Sequence, residues 1–125
     1  IRLKPLAKWQ APGHQVALAR INNLPVDDVL AALEWAKATF KTDGSTGYNH
    51  DIPDKWTEDS LYCSQLVWRI IDHAGVDLDS NDFWYLAWIT TRLGPLGPEF
   101  AWPAVLPDEL ALSDQLKIYS SGVAQ

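Results

Sequence analysis

One residue in this 125-residue chain stands out as a nucleophile: Cys63, the single cysteine. It sits in Ser60-Leu61-Tyr62-Cys63-Ser64-Gln65, immediately before a run with helical apolar spacing. That places the thiol in the first turn of a helix predicted over Leu61 to Ala74, with Ser60 as its cap. Free N–H groups and the dipole at a helix start stabilise an anion, and the thiolate is the form of cysteine that attacks carbonyls. The competing reading is an inert cysteine facing the core with Val67, Ile70 and Ala74. A lone cysteine also excludes a disulfide within the chain and a thiolate-rich zinc site.

A thiolate that forms an acyl intermediate needs a base to take its proton and return it to the leaving group. The chain offers three histidines. His14, in Pro12-Gly13-His14, fits an exposed turn before a strand. His50 lies in a polar loop, which orients a base poorly. His73 falls ten positions after Cys63 on the same helix, ~15 Å along its axis, and suits the negative helix end better than proton transfer. None combines position and setting. No tight metal-ligand spacing is present. Asp77, Asp79 and Asp82 around Asn81 lack the spacing, glycine and terminal Glu of a calcium loop and are expected to be solvated. No glycine-rich phosphate loop occurs, so neither cofactor nor metal is expected.

The elements that must position Cys63 follow from periodicity. Gln15 to Ile21 is predicted as a half-buried strand. Pro25 with Asp27 and Asp28 opens a helix running to about Phe40, its core face carrying Val29, Leu30, Leu33, Ala36 and Phe40. Lys41 to Asp59, rich in Gly, Asp, Asn and Ser, is a long loop of the kind that usually serves function. In the Cys63 helix, Leu66, Val67, Ile70, Ile71 and Ala74 form the apolar stripe, and Gly75 ends it. A short helix is expected around Phe83 to Ile89, with breaks at Gly94, Pro95, Gly97 and Pro98. A helical turn follows from Pro107 to Leu112, then a last strand from Leu116 to Tyr119. The aromatic stretch Phe83-Trp84-Tyr85-Leu86-Ala87-Trp88 either fills the core or lines a substrate groove.

Composition sets the outer bounds. Hydrophobic residues at 47% and charged residues at 21% fit one globular domain, residues 1–125. Ten Lys and Arg against 16 Asp and Glu leave a net charge of -6, a poor match for a phosphate backbone, so no nucleic-acid partner is expected. No apolar run approaches the ~18 residues of a membrane span. The chain begins at Ile1 without a signal-like segment, which suggests part of a longer product.

Leu61-Tyr62-Cys63-Ser64-Gln65-Leu66-Val67-Trp68 resembles the cysteine motif of the permuted papain-like hydrolases, the YiiX-like branch of the NlpC superfamily. That motif runs approximately Tyr-Cys-Ser-Glu-Leu-Val, with Gln65 here in place of Glu. Further segments follow in the family's order: Leu6-Ala7-Lys8-Trp9, Val16 to Arg20, Gly47-Tyr48-Asn49, Ala74-Gly75-Val76-Asp77-Leu78, and Val105-Leu106-Pro107-Asp108-Glu109-Leu110. The resemblance implies an α+β, papain-like fold, a small antiparallel sheet packed on the nucleophile helix. It implies Cys63 as nucleophile, with Tyr48 and Tyr62 supporting substrate or oxyanion. The family's histidine and third polar residue lie on strands preceding the region that Leu6 to Arg20 resembles. N-terminal strands are therefore expected to be missing here, and an N-terminal segment or companion chain would supply the histidine. The implied activity is a bacterial cysteine amidase or endopeptidase, acting on peptidoglycan peptides through a thioacyl intermediate in the cell envelope or outside the cell. An acyltransferase or lipid-amide hydrolase of the same fold is an alternative. A non-catalytic fragment or binding subunit is the alternative from another class.

Overall fold

The computed structural model describes residues 4–8, 12, 15–43, 45–50, 54–79 and 83–123. A 3-10 turn at Leu6–Lys8 precedes strand β1, Gln15–Ile21, and helix α1, Val26–Thr39. Pro25, extended at φ -60° and ψ 145°, caps α1, and Asp27 and Asp28 occupy its first turn, where carboxylates meet the positive helix end. The helix stops at Phe40, whose N–H still bonds the Ala36 carbonyl. Ala32, Ala36 and Phe40 are buried, whereas Leu30 and Leu33, expected in the core, are exposed. The buried face is thus rotated from the one that the leucines suggested, because small alanines let the neighbouring helix approach.

That neighbour is α2, Cys63–His73. Two short strands lead to it: β2, Gly47–Tyr48, and β3, Ser60–Leu61, which pair in parallel. Ser60 is therefore a strand residue, and the cap position belongs to Tyr62. Ala36, Phe40 and Leu61 form one core cluster, with Trp35, Leu66 and Ile70 packed against it. The most buried positions of α2 are Ser64, Gln65 and Trp68, and Val67 is exposed. Gly75, at φ 91°, closes the helix in a backbone conformation that a side chain would strain.

Helix α3, Phe83–Leu93, runs past the expected Ile89. Gly97 and Pro98, expected to break structure, instead start α4, Gly97–Ala101, because proline fits a first turn. A Cβ on Gly97 would come within 2.8 Å of the Ile89 carbonyl oxygen, so only glycine allows α4 this close to α3. Helix α5, Pro107–Leu112, follows as expected. Strand β4, Leu116–Val123, is longer than expected and pairs antiparallel with β1, from Gln15↔Val123 to Ile21↔Leu116. The register shifts between Leu18 and Ala19, where Tyr119 is the extra residue of a bulge in β4.

The architecture is a small α+β protein with a two-stranded antiparallel sheet and helices. Ile21 and Ile71 pack on the cluster of Trp68, Leu78, Val105 and Leu110, so the sheet meets the body at its Ile21 end. Residues 17–20 are exposed, where a half-buried strand was expected. No described helix is long and apolar enough to cross a membrane.

Candidate functional site

Cys63 is the first residue of α2 and is exposed, so the described geometry sets aside the core-facing alternative. Its position is fixed from below by Gln65. The Gln65 side chain is fully buried. Its Oε1 accepts from the Tyr62 N–H at 3.1 Å, satisfying one of the donors a helix start leaves open. Its Nε2 donates to the carbonyls of Lys55 at 3.2 Å and Thr57 at 2.8 Å. One amide thus ties the polar loop to the turn that presents the thiol.

The loop itself is anchored by an ion pair between Lys55 and Asp79, whose side chains are 6% and 8% exposed. The Lys55 N–H also donates to the Pro103 carbonyl at 2.9 Å. Asp77 accepts from the Trp68 indole N–H at 2.9 Å, and Trp56 packs edge-on against Trp68 with centroids 6.0 Å apart. The acidic segment expected to be solvated is therefore a structural strut at Asp77 and Asp79. Asp82 lies outside the described residues.

Tyr48 closes β2, and His50 follows two residues later. Tyr48 is in register with Leu61, and the Asn49 N–H donates to the Leu61 carbonyl at 3.2 Å. The ladder ends with this pair, since Cys63 already belongs to α2. Tyr48 and His50 are both exposed, their rings in tilted contact at 4.8 Å, while Asn49 between them is buried. The chain thus pairs the strand of Tyr48 with the strand that leads into the Cys63 turn.

Tyr62 has a different placement from the one the resemblance implied. It is 2% exposed, and its hydroxyl accepts from the Val105 N–H at 2.8 Å. Burial pushes its phenol above the ordinary tyrosine range, with the Val105 N–H opposing that shift. The group binds two segments of the fold together and faces away from solvent. His73 lies in the last turn of α2 and stacks on Trp35 at 3.9 Å, which accounts for it without proton transfer. His14 lies outside the described residues.

One further surface adjoins the site's helix. Val67 and Ile71, one and two turns beyond Cys63 on the same stripe, wall an apolar groove of about 490 Å³ with Ile21, Leu24, Val29 and Leu30. The aromatic stretch divides: Tyr85 is buried, its phenol raised by burial, whereas Phe83 and Trp84 face solvent. Among the described residues no group of His, Cys, Asp and Glu is arranged to hold a metal ion. The missed features were Gln65 and Lys55–Asp79, since neither residue type nor spacing marks loop carbonyls or a pair 24 positions apart. Comparison with family models, curated proteins and solved structures finds no match to this chain.

Proposed function

We propose that this chain carries the nucleophile of a cysteine amidase of papain-like, permuted NlpC type. The observation that supports the reading is the exposed Cys63 at the first position of α2, directly after the strand β3 that pairs with Tyr48 in β2. The thiolate attacks a carbonyl carbon, and the oxyanion is met by N–H groups of the first turn of α2 and by the Tyr48 hydroxyl. The C–N bond then breaks as an imidazolium protonates the amine, and water hydrolyses the thioester. The resemblance assigns the imidazole to a histidine preceding this sequence, on an N-terminal segment or companion chain. His50, whose ring touches Tyr48, is the second candidate. A peptidoglycan peptide in the bacterial envelope is the proposed substrate.

The groove along Val67 and Ile71 favours a second reading, in which the acyl group is a long apolar chain and the enzyme is an acyltransferase or lipid-amide hydrolase. A binding subunit without turnover is the third. Iodoacetamide at pH 7 separates the first two from the last: Cys63 is expected to label in the native state, and labelling only after denaturation overturns the nucleophile. Cys63→Ala is expected to abolish hydrolysis with an unchanged melting temperature, and Tyr48→Phe to lower turnover by about tenfold to a thousandfold. Assays of His50→Ala, with and without the companion segment, identify the base. Peptide amides compared with long-chain acyl amides identify the substrate.

A further inference from the structure

Two exposed indoles stand where this chain is tightly held. Trp56 is 65% exposed and Trp102 66%, in a residue type that is highly buried on average. Trp56 lies between Lys55 and Thr57, whose carbonyls take the Gln65 amide beneath the Cys63 turn. Its own N–H donates to the Asp54 carboxylate at 3.0 Å. Its ring meets buried Trp68 edge-on, with the Lys55 Nζ 5.1 Å from its centre. Trp102 caps α4 beside the fully buried Ala101, and its N–H donates to the Pro98 carbonyl at 3.0 Å. The bond from the Lys55 N–H to the Pro103 carbonyl joins the residues next to the two indoles, so the Cα atoms of Trp56 and Trp102 are at most about 14 Å apart.

Aromatic surface that is exposed yet already ordered marks a binding site, because a ligand meets it without further loss of side-chain freedom. The surroundings select the ligand. The exposed charges beside Trp56 are the carboxylates of Asp54, Glu58 and Asp59, while Lys55 is buried and committed to Asp79. Carboxylates there repel an anionic lipid surface or a nucleic acid. Residues 54–59 hold no aliphatic side chain to build the apolar centre of a protein interface. An uncharged sugar fits both features: the C–H face of its ring stacks on an indole, and its hydroxyls donate to carboxylates. We propose that Trp56 and Trp102 form a stacking site for an uncharged saccharide, on the loop that supports the Cys63 turn. Its use in catalysis, holding the glycan of a glycan-linked peptide, rests on the reading of Cys63 as nucleophile; the binding itself needs no thiol.

Titration with chitotetraose and, separately, cellotetraose, both uncharged, tests the proposal, with the indole N–H signals followed by NMR. The signals of Trp56 and Trp102 are expected to shift and saturate with at least one of the two. That of Trp84, 78% exposed at the start of α3, is expected to stay in place. Trp56→Ala and Trp102→Ala are each expected to weaken binding by about tenfold. Trp56→Tyr, which keeps an aromatic ring at the position, is expected to restore most of the affinity, and circular dichroism checks that each variant keeps the fold. Cys63→Ala is expected to bind as the wild type does, so a loss of hydrolysis in that variant bears on the nucleophile alone. No shift with either saccharide at about 10 mM, equal shifts at Trp84, or binding indifferent to both alanine variants overturns the proposal.

Discussion

The turn that presents Cys63 and the β1/β4 ribbon solve the problem of a short strand in opposite ways. Strands β2 and β3 are two residues each, yet buried side-chain groups surround them: Gln65 on two loop carbonyls, Lys55 on Asp79, Tyr62 on Val105. The ribbon has longer strands and a longer ladder, but Leu18, Ile118 and Tyr119 lie more than half exposed. Ladder length is therefore a poor guide to rigidity. Order at the thiol comes from a few polar side chains that would cost free energy if left unsatisfied, and the ribbon has few such anchors to its own body.

Breaking the first region is expected to have the largest effect. Asp79→Asn leaves the Lys55 ammonium buried without its counter-charge, and a loss of about 3–5 kcal/mol is expected in urea unfolding. A loss under 1 kcal/mol would show that the loop is held by its backbone bonds alone. Gln65→Glu is milder and more specific: a carboxylate accepts from the Tyr62 N–H but cannot donate to the Lys55 and Thr57 carbonyls. A loss of about 2 kcal/mol at neutral pH is expected, partly recovered in acid, where the protonated carboxyl can donate again. Hydrogen exchange at residues 57–65 should rise in parallel.

What was legible in the sequence divides along the same line. The α1 start at Pro25-Asp27-Asp28, the Gly75 stop and the Pro107–Leu112 turn depend on local backbone chemistry, and all three stand where the residues put them. Cys63 at a helix start and Tyr48 in the preceding loop were legible as well. Ser60 as a cap was not, because β2 claims Ser60 from across the loop. The anchoring role of Gln65 was not legible, because its partners are backbone carbonyls eight and ten positions back. The end of β4 was missed because Ser120-Ser121-Gly122 has the composition of a turn, while its β1 partner lies at the far end of the sequence.

The smallest effect belongs to the ribbon. Ile118→Thr keeps a β-branched side chain at a position 54% exposed, and a stability change within about 0.5 kcal/mol is expected by chemical denaturation of the dilute protein. A loss above 1.5 kcal/mol would mean that the ribbon is packed as firmly as the loop and would erase the contrast between the regions.

The ribbon joins strands from opposite ends of the described chain, and this has a consequence for synthesis and folding order. Asn22 donates to the carbonyl of Asp114 at 2.9 Å across 92 positions, just beyond the last pair of the ladder, Ile21↔Leu116. Closing so long a loop carries an entropy cost that local helices do not, so the ladder should form after α1 and α2 are in place. On the ribosome, β1 emerges before its partner β4, with α1 through α5 made in between. Throughout that interval it is an unpaired strand with both hydrogen-bonding edges open, a state that invites premature pairing with neighbouring nascent chains.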